Sequence, residues 1–406
     1  MGANPMKDPR VEPSGVRRAA SAQPDQEPAL PRRGFVILWV SVCLNMVGFG
    51  LILPVLPFHA ERFGASPAVV TMLAASFSVA QLFAAPVLGR LGDRIGRRPI
   101  LLISIAGACA SMTMLALADG LGLLFAARLL SGSSAANAPT AQAYVAACVR
   151  PSERARALGR IGAATGVGFV LGPALGGLLS TPAWPSLPFV VAAILAGINF
   201  IVAFVWLPEA PRTAAPARPS PAGPRSASLT GWVLMVFGIV AAFAAMESTF
   251  ALLVEQRHGW GPGETGMVFA LVGVVIVLSQ AVIVGRVAAW LGDLAAMRLV
   301  LGLLAAGLAC IGLAPGWLGA TVGACLVALG NGLSSPTLHA MISRRSTPSR
   351  RGADFGLVSS AGSLGRILGP LAAGLVFESL GPGAPSLLGA GVVLALASVT
   401  FAMRDS

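Results

Sequence analysis

Glu247, in the stretch AAMESTF, is the one carboxylate well inside a long apolar run of this 406-residue chain. A charge inside lipid is costly and is usually kept for a function, and a carboxylate in a low-dielectric cavity can take up and give back a proton. The plainer reading is a structural carboxylate hydrogen-bonded to its neighbours. Two arginines share its situation, Arg128 in RLLSG and Arg366 in SLGRILGP, and nothing in the sequence pairs the three. A second concentration of charge is GRLGDRIGRR, where Arg90, Asp93, Arg94, Arg97 and Arg98 stand between apolar runs.

The elements that position these groups follow from composition. The chain is 55% hydrophobic and 11% charged, with a mean hydropathy of +0.80. A soluble chain carries about a quarter charged residues, so the solvent missing here is lipid. A spanning helix needs about 20 mainly apolar residues. Twelve runs qualify: 35–57, 68–88, 99–118, 121–147, 157–180, 187–207, 231–253, 266–284, 297–314, 318–342, 354–377 and 386–403. Pro and Gly within them are tolerated in membrane helices, and the alternation of barrel strands is absent. The expectation is an all-α integral membrane protein of twelve transmembrane helices.

The net charge of +12 invites a nucleic-acid partner, but the distribution argues against one. With the N-terminus inside, 24 of the 28 Lys and Arg fall in cytoplasmic segments, and only Arg62 and Arg257 fall in outer loops. That is the positive-inside bias. It predicts a protein of the cytoplasmic membrane, surrounded by bilayer, with both termini in the cytoplasm and GRLGDRIGRR as the cytoplasmic loop between spans two and three. Residues 1–33 read as a disordered cytoplasmic tail. The run that follows is too long for a signal peptide and stays as the first span. Residues 208–230, rich in Pro, Ala and Arg, read as a linker between halves 34–207 and 231–406. The five cysteines sit singly in apolar segments and fit neither a disulfide framework nor a metal site. His59 and His258 are expected in outer loops, exposed to solvent.

The two halves repeat each other. PSERARALGRIGAATGVGFVLGPALGGL from Pro151 aligns without gaps on PSRRGADFGLVSSAGSLGRILGPLAAGL from Pro348, at an offset of 197. The same offset brings Pro139-Thr140 onto Pro336-Thr337, and an offset of 196 brings GRLGDRIG onto GRVAAWLG, Gly285 to Gly292. Equal sidedness requires an even number of spans per half, and six fits. Two pseudo-symmetric six-helix halves around a polar path are a transporter architecture. Within the repeat, Gly168, Gly172 and Gly176 recur once per turn, so a neighbouring helix can approach closely. Pro173 removes a backbone hydrogen bond and favours a bend. With Gly177, and with Gly365, Gly369 and Pro370 in the second copy, they form a packing motif suited to a surface where halves rock.

These motifs resemble those of the major facilitator superfamily, and within it the twelve-span drug–proton antiporters, including tetracycline-type exporters. GRLGDRIGRR is similar to the superfamily's loop between spans two and three, RLLSG to its span-four motif, GFVLGPALGG to the span-five motif of exporters, and GFGLILPVLP to their first-span motif. The resemblance implies that span seven lines a central cavity, which makes Glu247 the nominated proton carrier. It implies that Arg128 faces the same cavity, to tune a carboxylate or bind an anionic group, with a fixed ion pair as the alternative. Arg366 is read as a tie between helices. Asn45, Asn137, Gln142, Gln280, Asn331 and His339 are candidate contacts for a small-molecule substrate. The loop motif implies a latch between the halves, built from Gly89, Arg90, Asp93, Arg94, Gly96, Arg97, Arg98 and Asp354, and closed when the cavity faces outward. The alternative is a solvated anchor loop. In the second copy Ala289 and Trp290 stand where Asp93 and Arg94 would be, so the latch is one-sided.

Tetracycline-type exporters carry acidic residues in spans one and three; the matching positions here are Asn45 and Ser111. Proton coupling then falls to Glu247 or is absent, and a tetracycline substrate is disfavoured. The expected function is proton-coupled efflux of a small amphipathic compound by a monomer, without cofactor or metal. The alternative is uptake of a sugar or other metabolite, for which PEAPR, Pro208 to Arg212, has a resemblance of its own. An enzyme is not expected: GxxxxGK[ST], HExxH and GxSxG do not occur.

Overall fold

The computed structural model describes, apart from Gly2, residues 32–209, 227–346 and 350–402. Most of the predicted tail and linker lies outside them. The chain forms α1 (Arg32–Glu61), α2 (Pro67–Ile95), α3 (Arg97–Ala116), α4 (Leu121–Ser133), α5 (Asn137–Cys148), α6 (Pro151–Leu179) and α7 (Leu187–Trp206). From residue 227 on come α8 (Ala227–His258), α9 (Pro262–Leu278), α10 (Val284–Leu313), α11 (Trp317–Arg345), α12 (Arg351–Leu380) and α13 (Ala384–Ala402). A π-helical turn, Ser279–Ile283, joins α9 to α10. Among the described residues, ten stretches are long and apolar enough to cross a membrane. The α4–α5 pair and the shorter apolar stretch Ala384–Thr400 complete twelve crossings.

Within the first half α1 packs on α6, α3 on α7 and α2 on α4; within the second, α8 packs on α12, and α10 on α11 and α13. The halves meet along two seams, α6 with α9 and α2 with α12. By the internal repeat α6 corresponds to α12 and α2 to α9, so one helix pairing is used twice. The glycine motif serves both packings. A Cβ on Gly168, Gly172 or Gly176 would come within 2.5–2.6 Å of the Cys43, Val47 or Leu51 carbonyl of α1, so these three seat α6 inside its own half. Gly365 and Gly369 seat α12 on α8 in the same way. The seam itself is carried by Gly177, which faces Pro262 and Gly263 of α9, and by its repeat partner Gly374, which faces Ala68 and Thr71 of α2. Pro173 has no N–H for the Phe169 carbonyl, and that carbonyl faces Gly273 of α9.

Three boundaries differ from expectation. The predicted loop GRLGDRIGRR is almost all helix: α2 runs to Ile95 and α3 begins at Arg97, leaving Gly96 alone between them. Arg and Leu are good helix formers whether or not lipid surrounds them, and the helix stops only where Gly96 takes φ 104°. Gly292, its repeat partner, kinks α10 with φ 71°. Both are positive-φ conformations that cost a side chain about 1–3 kcal/mol, so the altered second copy keeps the turn and Arg286 while the counterparts of Asp93 and Arg94 are gone. Span four is broken, with Ser134 to Ala136 outside both α4 and α5. Irregular backbone at membrane depth is tolerated where it lines a cavity. Finally, α1 and α8 continue past the apolar runs to Glu61 and His258.

One end of the bundle carries Arg94, Arg97, Arg98, Arg344 and Arg350 and is called the arginine-rich face. The close contacts between halves lie toward the other end. There Ala68 N donates to the Glu378 carboxylate at 2.9 Å, and the Glu61 carboxyl of α1 lies beside that of Glu255 on α8. At the arginine-rich face the last turns of α2 are exposed. The bundle is closed at the opposite face.

Candidate functional site

Two adjoining cavities lie in the middle of the bundle, sharing Phe49, Phe77 and Arg366 in their walls. The smaller, 90 Å³, lies between the halves, and Glu247 on α8 looks into it, with Ser248 beside it and Arg128 on α4 across from it. Arg366 on α12 stands where the two cavities join. The guanidinium of Arg366 and then that of Arg128 bear electrostatically on the Glu247 carboxylate. Neither lies within the 4.0 Å of an ion pair. Glu247 is thus half-buried, between a cation of its own half and one of the other.

Arg128 is 5% exposed. Its Nε donates to the Leu73 carbonyl of α2 at 3.3 Å, and its guanidinium lies 4.7 Å over the Phe77 ring. Its Nη1 is buried without a hydrogen-bond partner. The side chain therefore braces α4 against α2 and keeps part of its hydrogen-bonding capacity unspent. Arg366, read from sequence as a tie between helices, is exposed into the cavities instead.

The larger cavity, 370 Å³, is built almost wholly from the first half. Phe49, Phe77, Phe169, Met46 and Met112 supply apolar wall; Asn45, Gln81, Asn137 and Asn199 supply amides. The break in span four lines it, through Ser134, Ala135 and Asn137. Of the predicted contacts, Asn45, Arg128 and Asn137 come to the two cavities, while Gln142, Gln280, Asn331 and His339 do not. Gln142 is five residues beyond Asn137, about 140° round the helix, and is exposed. Gln280 is exposed on the π-helical turn. Asn331 is half-buried, its carbonyl accepting from Ser334 Oγ, and His339 packs edge-on against Phe355. The cavity is displaced into the first half, away from these second-half positions.

Asn199 was legible and missed. It is the lone amide in the apolar span LAGINFIVAF, and its Oδ1 accepts from Ser41 Oγ at 2.8 Å, tying α7 to α1. His59, expected in a solvated loop, is 3% exposed, because α1 continues to Glu61 and packs the imidazole against Phe63 and Phe189.

The latch residues are spread out. Gly89, Arg90, Asp93 and Arg94 are exposed, and Arg90 Nε turns back to the Pro86 carbonyl of its own helix at 3.2 Å. Arg98 donates to the Phe204 carbonyl near the end of α7, a favourable place for a cation. Arg97 is half-buried. Asp354 is 5% exposed and pairs with Arg350, 3.7 Å away on its own segment. Among the described residues no ion pair joins Asp93 or Arg94 to Asp354.

Comparison with known proteins agrees with this architecture. Residues 38–338 and 297–406 match the family model described as Major Facilitator Superfamily. Tetracycline resistance protein, class D, of Salmonella ordonez is 32% identical over 358 residues, 84% of this chain and 89% of that protein. Multidrug resistance protein 2 of Bacillus subtilis (strain 168) is 27% identical over 358 residues, covering 85% and 88%. The crystal structure of the human organic anion transporter MFSD10 (TETRAN) superposes with a TM-score of 0.67 at 25% identity, over 91% of this chain and 99% of that one.

Proposed function

The chain belongs to the major facilitator superfamily, as a multi-pass membrane transporter of small molecules rather than an enzyme, and from that premise we propose that it expels a small amphipathic compound in exchange for protons. The observation that carries the proposal is the position of Glu247, at a cavity between the halves and between Arg366 and Arg128. Relatives named for tetracycline and multidrug resistance support the direction of transport.

The arginine-rich face is cytoplasmic in this reading, by the positive-inside bias, so the bundle described above faces inward. The substrate enters the larger cavity from the cytoplasm. Ionised Glu247 attracts Arg128 across the gap between halves; a proton on Glu247 removes that attraction. Proton and substrate then favour different arrangements of the halves, which is the condition for one to drive the other. A proton entering down about 100 mV and one pH unit releases roughly 2.3 plus 1.4 kcal/mol, enough to sustain a several-hundredfold gradient of a neutral compound. One monomer contains every part this cycle needs.

The experiment is a resistance panel in an efflux-deficient bacterium. Expression should raise tolerance to a subset of amphipathic toxic compounds, and Glu247→Gln should return it to the empty-vector level. Unchanged tolerance to every compound, or full protection by Glu247→Gln, refutes the reading. Accumulation of a compound that a protonophore abolishes would instead favour uptake.

A further inference from the structure

The wall of the larger cavity mixes apolar and aromatic side chains with the amides of Asn45, Gln81 and Asn199. One part of it is the broken segment of span four, with Asn137 just beyond the break at the start of α5. Asn137 is 1% exposed, and neither its Oδ1 nor its Nδ2 has a hydrogen-bond partner. A buried carboxamide that makes none of its bonds costs about 1–3 kcal/mol per group. It is retained where something else supplies the partners part of the time. A discontinuous spanning helix is independently a marker of a binding site at membrane depth, and here the discontinuity and the unpartnered amide are the same wall.

From this we propose that Asn137 is the specificity residue of the cavity, and that its substrates are amphipathic molecules presenting a donor and an acceptor side by side, as in a primary amide or a lactam. A carboxamide offers one acceptor and two donors in a plane. Its matching ligand group is another planar donor–acceptor pair, which closes two hydrogen bonds at once. The rest of the substrate is an uncharged, flat apolar body. Phe49 and Phe77, 5.6 Å apart between ring centroids and tilted by 50°, give it an aromatic wall, and Met46 and Met112 are adaptable contacts. No charged side chain other than Arg366 lines this cavity, so a full charge on the substrate body would have no partner except at that end. A site that reads a donor rejects an analogue lacking it, because its own buried acceptor is then left unpaired.

The inference rests on the transport reading for its biological meaning, but its test uses binding alone. Thermal shift of the full chain in detergent is measured with 2-naphthamide and with N,N-dimethyl-2-naphthamide, which keeps the carbonyl and the apolar body but has no N–H. The wild type should bind the primary amide at least about tenfold more tightly. Asn137→Leu, and Asn137→Ser as a smaller change, should bind the two probes alike, with monodisperse gel filtration confirming the fold. Met112→Ala should weaken both probes equally and keep their ratio. Equal binding of the two probes by wild type, no binding of either, or a ratio that survives both Asn137 variants overturns the inference. Failure of the resistance panel with the ratio intact would remove the efflux reading and leave this one standing.

Discussion

Gly172→Ala is the sharpest structural test, because a same-helix control exists. The added Cβ would stand 2.6 Å from the Val47 carbonyl and 2.9 Å from the Gly50 Cα, both backbone atoms of α1. That is about 0.8 Å short of ordinary van der Waals contact, and backbone cannot swing aside as a side chain would. The two helices must separate along their length, and overpacking of this kind costs about 1–3 kcal/mol. Gly162, ten residues earlier on α6, has nothing within 4 Å of its Cβ position. Gly162→Ala should therefore be neutral or gain up to about 1 kcal/mol from helix propensity. Thermal unfolding of both variants in one detergent reads the difference, with Gly172→Ala the less stable. If the two variants melt together, α6 does not rest on α1 through this glycine, and the packing described here is wrong.

Other substitutions test other joints. Arg128→Lys keeps the charge but loses the planar face over Phe77 and the Nε bond to Leu73, and should lower stability by about 1–2 kcal/mol; an unchanged melting temperature contradicts the brace. Gly292→Ala should cost about 1–3 kcal/mol for its positive-φ backbone, while Gly285→Ala, with open space around it, should not destabilise; equal melting points would deny the kink. Burial and then the neighbouring Glu255 carboxyl push the Glu61 carboxyl up to about 8, so it holds a proton near neutral pH and loses it in alkaline solution. Of the other charged or titratable groups at that end, His59 is packed among aromatic rings, and Arg62 and Asp119 are exposed. Arg257 binds the Gly312 carbonyl, His258 packs on Trp260, Glu264 caps Gly261 and Glu378 holds Ala68. Alkaline solution should therefore part the halves at this face, seen as a longer distance between spin labels, and Glu61→Gln should abolish that response. The same response in the variant would show that another group governs it.

Much of this was legible in the sequence because lipid leaves few solutions. Uninterrupted apolar runs became crossings, the 197-residue repeat became the two seams, and the glycines fell on close-packed faces. The boundaries were less legible because hydropathy stops at the edge of the hydrocarbon, whereas α1, α2 and α8 continue beyond it. That extension is what buries His59 and turns an apparent loop into helix. Helical phase hid the rest. An amide within a span reveals depth but not direction, so Asn137 reached the cavity and Gln142, on the same helix, did not. The meeting of Glu247, Arg128 and Arg366 joins residues more than a hundred positions apart, and only the packing of α4, α8 and α12 brings it about.

The exchange of proton for substrate at Glu247 is tested most directly in liposomes containing the purified chain, with a compound identified by the resistance panel and an acid lumen imposed against a neutral medium. Wild type should concentrate the compound inside as protons leave. Glu247→Gln should fail to concentrate it, yet still exchange labelled for unlabelled compound, since that exchange moves no proton. Accumulation by Glu247→Gln equal to wild type would contradict the account.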